Sequence, residues 1–581
     1  MCKMRLFFYR SFLYFYSIID VKAFFEGTNL QLILKMLKQI LSFRSLKISK
    51  LIFVIVLIYI QSCTKSVSNN SENLVFRYNE HRNISSLDPA FSKDLADIWG
   101  TNQIFNGLVQ MNDKLEVQPA IAKTWQISDS AKTYTFNLRD NILFHKHHLF
   151  EKDSTRTVKA SDFEFSLNRL KDEKLASPGS WVLNKVDKFY AENDSTFIIK
   201  LKQPFPAFLG LLTMKYCSVV PKEVVEYYGT EFRSNPIGTG PFRFKRCEEN
   251  VKLVLRKNQH YFEKDSKGKQ LPYLEAIAVT FLPDKQSEFL QFAQGNIDFV
   301  SGLDASYKDE ILTTKGELKS NYTEDVNMIR GPYLNTEYLG FFMESQVNEV
   351  RSQKIRQVIN LGFEKKKMIT YLRNGIGIAA NGGFIPKGLP GFDDTIGYYY
   401  NPKKAKELLN QFKKEINVSQ PKVTLTTTSN YLNFCEYIQR ELQKIGLEIV
   451  VDVIPASSLK DLKANGQLDF FRASWIADYP DAENYLSLYY SKNFAPNGPN
   501  YTHFKNDTFD RLYEKAYLET NSEKRSELYT KMDSLVMQSA PIIPLFYDEV
   551  VRFTRKNIEG LGINAINLLN LKKVKKSINN L

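Results

Sequence analysis

His145, His147 and His148 form the densest group of metal-capable side chains in the sequence. Imidazole is a common ligand of transition metals. On an extended strand, however, alternate side chains face opposite sides, so these histidines would not converge on one ion. The stretch is therefore expected to be a solvated strand end, and neither a metal nor a cofactor is expected. Gly238-Thr239-Gly240 lacks the Lys-Ser/Thr ending of a phosphate loop and reads as a tight turn. Neither a GxSxG nor an HExxH pattern occurs. Pairs of Asp and Glu could act together as in a glycosidase, but sequence alone does not bring them together.

Cys63 carries a different chemistry. Lys38, Arg44, Lys47 and Lys50 precede the apolar run from Leu51 to Ile60, which is followed by Gln61, Ser62 and Cys63. As a helix such a run spans roughly 15 Å, about half the hydrocarbon thickness, which suits a cleaved signal better than a permanent span. Ile60-Gln61-Ser62-Cys63 resembles a bacterial lipobox, in which the cysteine thiol takes a diacylglycerol group. The polar stretch TKSVSNNSEN that follows suits a tether. Residues 36–62 are thus expected to be a lipoprotein signal peptide and 63–73 the lipidated cysteine and tether. Translation is expected to start at Met36, with 1–35 an upstream extension outside the fold. The remaining cysteines, Cys217, Cys247 and Cys435, have no CxxC spacing, and whether Cys217 and Cys247 pair is left open.

The elements that must position such residues are of both kinds. A chain of 581 residues exceeds one hydrophobic core, so two or three domains are expected. The 43% hydrophobic and 24% charged content is globular. Of the net charge of +14, residues 1–62 supply +7, from nine Lys/Arg against Asp20 and Glu26. The rest is dispersed, which argues against nucleic acid as a partner. Its densest cluster, Lys572, Lys573, Lys575 and Lys576, reads as a solvated tail, or secondarily as a membrane-surface contact. Strands are expected at Thr133 to Leu138, Thr196 to Leu201, Lys252 to Arg256 and Glu448 to Val453. Helical periodicity covers Ile355 to Leu372, Ala405 to Phe412 and Glu523 to Met537.

An ordered series of short motifs runs from about Leu74 to about Phe553. It includes Ser86-Leu87-Asp88-Pro89, Gln118-Pro119-Ala120-Ile121-Ala122 with Trp125, Phe136-Asn137-Leu138-Arg139 and Ala160-Ser161-Asp162-Phe163 with Ser166 and Arg169. Further on come Val220-Pro221-Lys222, Pro236 to Phe242, Gly295-Asn296-Ile297-Asp298, Arg356-Gln357-Val358-Ile359 and Trp475-Ile476-Ala477-Asp478-Tyr479-Pro480-Asp481. Their order and spacing resemble the extracellular solute-binding protein family 5, the dipeptide and oligopeptide binders of ABC importers. Met343 and the lengthened turn Lys146 to Asp153 depart from the family pattern.

The resemblance implies an α/β, two-lobed periplasmic binding protein of type II, in its large peptide-binder subclass, with an extra inserted domain. Lobe I would comprise 74–110, 200–330 and 530–581, the inserted domain 111–199, and lobe II 331–529. It implies a monomer that captures di- or oligopeptides outside the cytoplasmic membrane and delivers them to ABC permease and ATPase subunits, with no catalysis of its own. The alternatives are a binder of a nickel chelate or oligosaccharide, an exported hydrolase, and a nutrient-capturing surface lipoprotein. By the same resemblance Asp478 receives the ligand's α-ammonium, Trp475 walls a side-chain pocket, and Arg472 meets a short peptide's carboxylate. Phe91, Lys93, Asp94 and Leu95 would lie along the peptide backbone. Lys93 stands where relatives have glutamate, and Gly179, followed by Trp181, stands where they offer a tyrosine. Asp478 as a cap or structural ion pair, and Trp475 as a core residue, are the readings without a ligand.

Overall fold

Two long antiparallel strands, Val326–Phe341 and Ile542–Arg555, organise the molecule. At about 3.3 Å per residue the longer spans roughly 50 Å, enough to serve two bodies. Their pairing is interrupted between Pro332 and Thr336. On one side of this irregularity, residues 326–332 pair with 549–555, which also pair with Phe299–Ser301. On the other side, residues 336–340 pair with 542–547 while 335–341 pair with Phe470–Ile476. One sheet of 11 strands results, running from Glu448–Val453 at one edge to Phe242–Glu248 at the other. The computed structural model describes residues 74–151 and 154–577. Cys63 and the stretches 1–35, 36–62 and 63–73 lie outside the described residues.

The described residues, 74–151 and 154–577, form one compact unit. A separate antiparallel sheet is built in the order Ala122–Ser128, Thr133–Leu138, Thr196–Leu201, Val186–Asn193, with the helix Ala160–Lys171 packed on it. The four expected strands are present, three of them with the expected bounds. The single helix expected from Ile355 to Leu372 is instead two, Gln353–Leu361 and Lys365–Arg373. Gly362 caps the first, and Glu364 returns to extended backbone. The helix Leu432–Gln443 packs so closely here that a side chain at 362 would meet Leu442. Residues 331 and 530, the sequence-based lobe boundaries, fall inside a long strand and inside the helix Ser522–Ser539.

The family-like motifs hold together the first body, which lies on the Phe299–Ser301 side of the irregularity and shares its core with the four-stranded sheet. Asp88 caps the short helix Pro89–Phe91 and pairs with Arg169 at 2.6 and 3.1 Å. Ser166 accepts from the Val220 amide at 2.9 Å. Gly238 and Gly240 lie against the backbone of Gln103 and Ile104, where a Cβ would overlap carbonyl groups, so the tight turn needs glycine for close approach.

His145 is no solvated strand end: it is 3% exposed, its backbone N–H donates to Gly238 O, and its Nε2 donates to Gly240 O at 3.0 Å. The turn is gripped from inside by the His145 imidazole together with the Asn258 amide, which donates to the same Gly240 carbonyl at 2.9 Å. The lysine cluster at the C-terminus is not a free tail either. Leu569, Leu571 and Val574 are buried, so Lys572 and Lys576 come inward, to Glu263 at 2.7 Å and Asp298 at 2.8 Å. Lys573 and Lys575 remain exposed.

Burial lowers the His145 imidazole to about 4. The unfolded chain, with histidine near its ordinary value, therefore takes up the proton first. This part of the stability is complete above about pH 6.5 and is lost as the pH falls towards 4, on the order of 3 kcal/mol in all. Urea midpoints of wild type and His145→Gln across this range should show a shallower acid slope in the variant. Equal slopes would contradict the assignment.

Candidate functional site

The strand Phe470–Ile476 sends alternate side chains to opposite faces. Phe471 and Ala473 enter one core with Trp475 packed against it, while Phe470 enters the core on the other face. Arg472 shares the face of Phe470, so Trp475 and Arg472 project to opposite sides. Beyond the strand, the chain turns through Asp478-Tyr479-Pro480-Asp481 into the short helix Glu483–Leu486. Asn484 ties this turn together. Its side-chain carbonyl accepts from the Trp475 indole at 2.8 Å and the Asp478 amide at 3.2 Å, and its NH2 donates to Asp478 Oδ2 at 3.3 Å. Glu483 accepts from the hydroxyls of Tyr479 and Tyr513, and Asp481 accepts from Tyr529 at 2.7 Å.

This turn lies where the two bodies touch. Phe205 stacks on Tyr517 with centroids 5.0 Å apart and meets Tyr479 edge-on at 6.2 Å. Tyr479 itself belongs to the core of the first body. Asp478 is exposed by surface area, yet the protein around it displaces enough water to raise its carboxyl above the ordinary value, against the lowering effect of Asn484. Among the described residues no cation pairs with the Asp478 carboxyl.

Arg472 is already engaged. It forms an ion pair with Glu337, and its guanidinium lies 3.3 Å from the centroid of the Tyr431 ring. Glu337 also accepts from Asn335 at 3.1 Å and from Tyr431 at 3.3 Å. The Arg472 Nε is buried without a partner.

From the first body, Phe91 is half-buried against the core, while Lys93, Asp94 and Leu95 are exposed at the start of the helix Leu95–Ile104. Trp181 is half-buried in the short helix Ser180–Leu183. A side chain at Gly179 would overlap the Tyr216 ring. Tyr216 therefore fills the space that a residue at 179 would take. Burial pushes its hydroxyl up to about 12, with further contributions from the charges of Asp478, Asp94 and Asp97. Tyr216 thus stands within electrostatic reach of both Asp94 and Asp478. Trp475 and Asp478 are joined through Asn484, whereas Arg472 is held apart with Glu337. Sequence reasoning missed Tyr216, Asn484, Glu337 and Tyr431. Asn484 had a local signal, six residues from Asp478 on the same turn; the others are distant in sequence.

The rings of His147 and His148 meet at a tilt, with centroids 4.2 Å apart, beside Tyr227 and Tyr228 and apart from His145. No cluster of metal-ligating side chains forms among the described residues. Cys217, Cys247 and Cys435 are free thiols, which answers the open disulfide question. No described helix is long and apolar enough to cross a membrane.

Residues 116–497 match the profile of the bacterial extracellular solute-binding proteins, family 5 (middle). The chain belongs to this family. Over 488 residues it is 25% identical to a probable di/tripeptide-binding protein 5 of Pseudomonas aeruginosa, covering 79% of this chain and 88% of that protein. A heme-binding protein A of Haemophilus influenzae is 26% identical over 511 residues, covering 84% and 89%. Among solved structures, the ABC transporter-associated periplasmic binding protein DppA of Helicobacter pylori, in complex with the peptide STSA, superimposes with a TM-score of 0.72 at 26% identity. The alignment covers 87% of this chain and 98% of that one. The fold is accordingly the two-lobed, mixed α/β fold of type II periplasmic binding proteins, and the family's role is extracytoplasmic solute binding.

Proposed function

We propose that this chain captures short peptides between its lobes, as a lipid-anchored protein, and passes them to ABC permease and ATPase subunits. The observation that carries the reading is the Asp478 carboxyl, without a cation partner among the described residues and joined to Trp475 through Asn484, on the turn where the two bodies touch. An ammonium placed there gains a charge-assisted hydrogen bond worth about 1.5 to 3 kcal/mol. The indole adds a flat apolar wall. The names of the relatives, which include a di/tripeptide binder and a peptide complex, support a peptide. In this reading lobe I comprises 74–110, 200–330 and 530–581, lobe II 331–529, and 111–199 is inserted. Phe91, Lys93, Asp94 and Leu95 line the first lobe's side, and Trp181 comes from the inserted domain. Arg472 meets the peptide only if Glu337 releases or shares it. Cys63 carries the lipid.

Thermal shift tests the ligand class. Ligand at 100 times its dissociation constant adds about 2.7 kcal/mol. Dipeptides and tripeptides are expected to raise the unfolding midpoint, while oligosaccharides and nickel chelates leave it unmoved. A shift with sugars or chelates alone would retain transport and remove the peptide.

A further inference from the structure

Beside the helix Leu95–Ile104 lies a small cavity of about 40 Å³, lined by Asn102, Asn106, Lys215, Tyr261, Asn570 and Lys572 among others. Its rim residue Ile566 also packs against a core of the second lobe, so the cavity borders the junction between the two bodies. Donors reach it from Lys215, Lys572, Asn106 and Tyr261, while Asn102 spends its NH2 on Leu569 O at 2.8 Å and keeps its carbonyl as an acceptor. The Asn106 side-chain carbonyl is taken by Thr239 at 3.0 Å, so what it has left to offer is its NH2. The Tyr261 hydroxyl is buried near Asn106 and Glu263, yet closes no hydrogen bond of normal geometry with either.

The cations are not balanced. Lys572 is matched by Glu263 at 2.7 Å and also donates to Gln110 at 2.8 Å. Lys215 has no carboxylate partner, and its ammonium donates no hydrogen bond to any described residue. Enclosure of that ammonium, with Lys572 nearby, lowers it to about 8, which still leaves it mostly charged at neutral pH. A donor-rich cavity with one uncompensated positive charge suits an anion. A volume of about 40 Å³ admits a carboxylate group or a small oxyanion.

We propose that this cavity is an anion-binding subsite of the first lobe, in which Lys215 receives a carboxylate or a small oxyanion. The subsite stands whether or not the cleft takes a peptide. Two sources share the chemistry: the carboxylate of a bound solute, or a free anion.

Line broadening of 13C-labelled acetate in the presence of the protein reads the site directly. Wild type is expected to broaden the signal, Lys215→Met to bind acetate at least about tenfold more weakly, and Lys215→Arg to retain binding. Circular dichroism checks that both variants are folded. Absence of broadening by wild type, or equal broadening by wild type and Lys215→Met, overturns the proposal. Peptides with free and amidated C-termini separate the sources. A preference of about tenfold for the free terminus that disappears in Lys215→Met identifies the solute's own carboxylate. Equal binding of the two peptides, with acetate still bound through Lys215, identifies a free anion. Either result upholds the subsite, and neither depends on Asp478.

Discussion

Arg169→Ala is expected to destabilise the protein by about 3 to 5 kcal/mol, because it leaves the Asp88 carboxylate buried without its cation. The Asp88 and Arg169 side chains are 5% and 10% exposed, and the pair is bidentate. Asp88 also accepts from the Ala90 amide at 3.0 Å, so its charge cannot turn away without uncapping the short helix. The bond joins the segment after the first strand to the helix of the separate four-stranded sheet, and its loss should loosen that junction first. Asp88→Asn combined with Arg169→Met removes both charges and should recover part of the loss. Urea denaturation of the two variants measures this. A cost below about 1 kcal/mol for Arg169→Ala would mean the pair behaves as an exposed one.

Asp478→Ala should weaken short peptides with a free amino terminus by about tenfold or more, corresponding to one lost charge-assisted bond. N-acetylated peptides, which have no ammonium, should bind wild type and variant alike. Asp478→Asn separates charge from shape, since it keeps the contact with Asn484 and removes the anion. Because the protein around it raises the Asp478 carboxyl, affinity should also fall as the pH drops into the acidic range, earlier than for a free aspartate. The variant should lose this pH dependence. Calorimetric titration of a dipeptide and its acetylated form gives all these comparisons.

The two predictions concern residues that differ in how much of their role the sequence carries. Alternation along Thr133–Leu138 and the β-branched run in Glu448–Val453 are local properties, and the strands follow from them. Gly362 was also visible, but whether a glycine ends a helix depends on what packs beside it, here Leu442, which lies 80 residues away. Asp478 and Trp475 are close in sequence and meet through Asn484 on the same turn. Arg472 is different. Its partner Glu337 comes from the neighbouring strand, 135 residues earlier, so an arginine that looks free in the sequence is paired in the fold. Tyr216 had no local signal either, because its position depends on the absence of a side chain at Gly179. The burial of His145, and of Lys572 and Lys576, likewise comes from the partners they meet: the glycine turn, Glu263 and Asp298.

The most direct test of the peptide reading is native mass spectrometry of the protein purified gently from its own host, followed by release and fragmentation of whatever it carries. The expected result is one or more adducts that fragment as peptides of two to a few residues and are lost from Asp478→Ala. An adduct that proves to be a sugar, a metal chelate or a porphyrin, retained by Asp478→Ala, would contradict it.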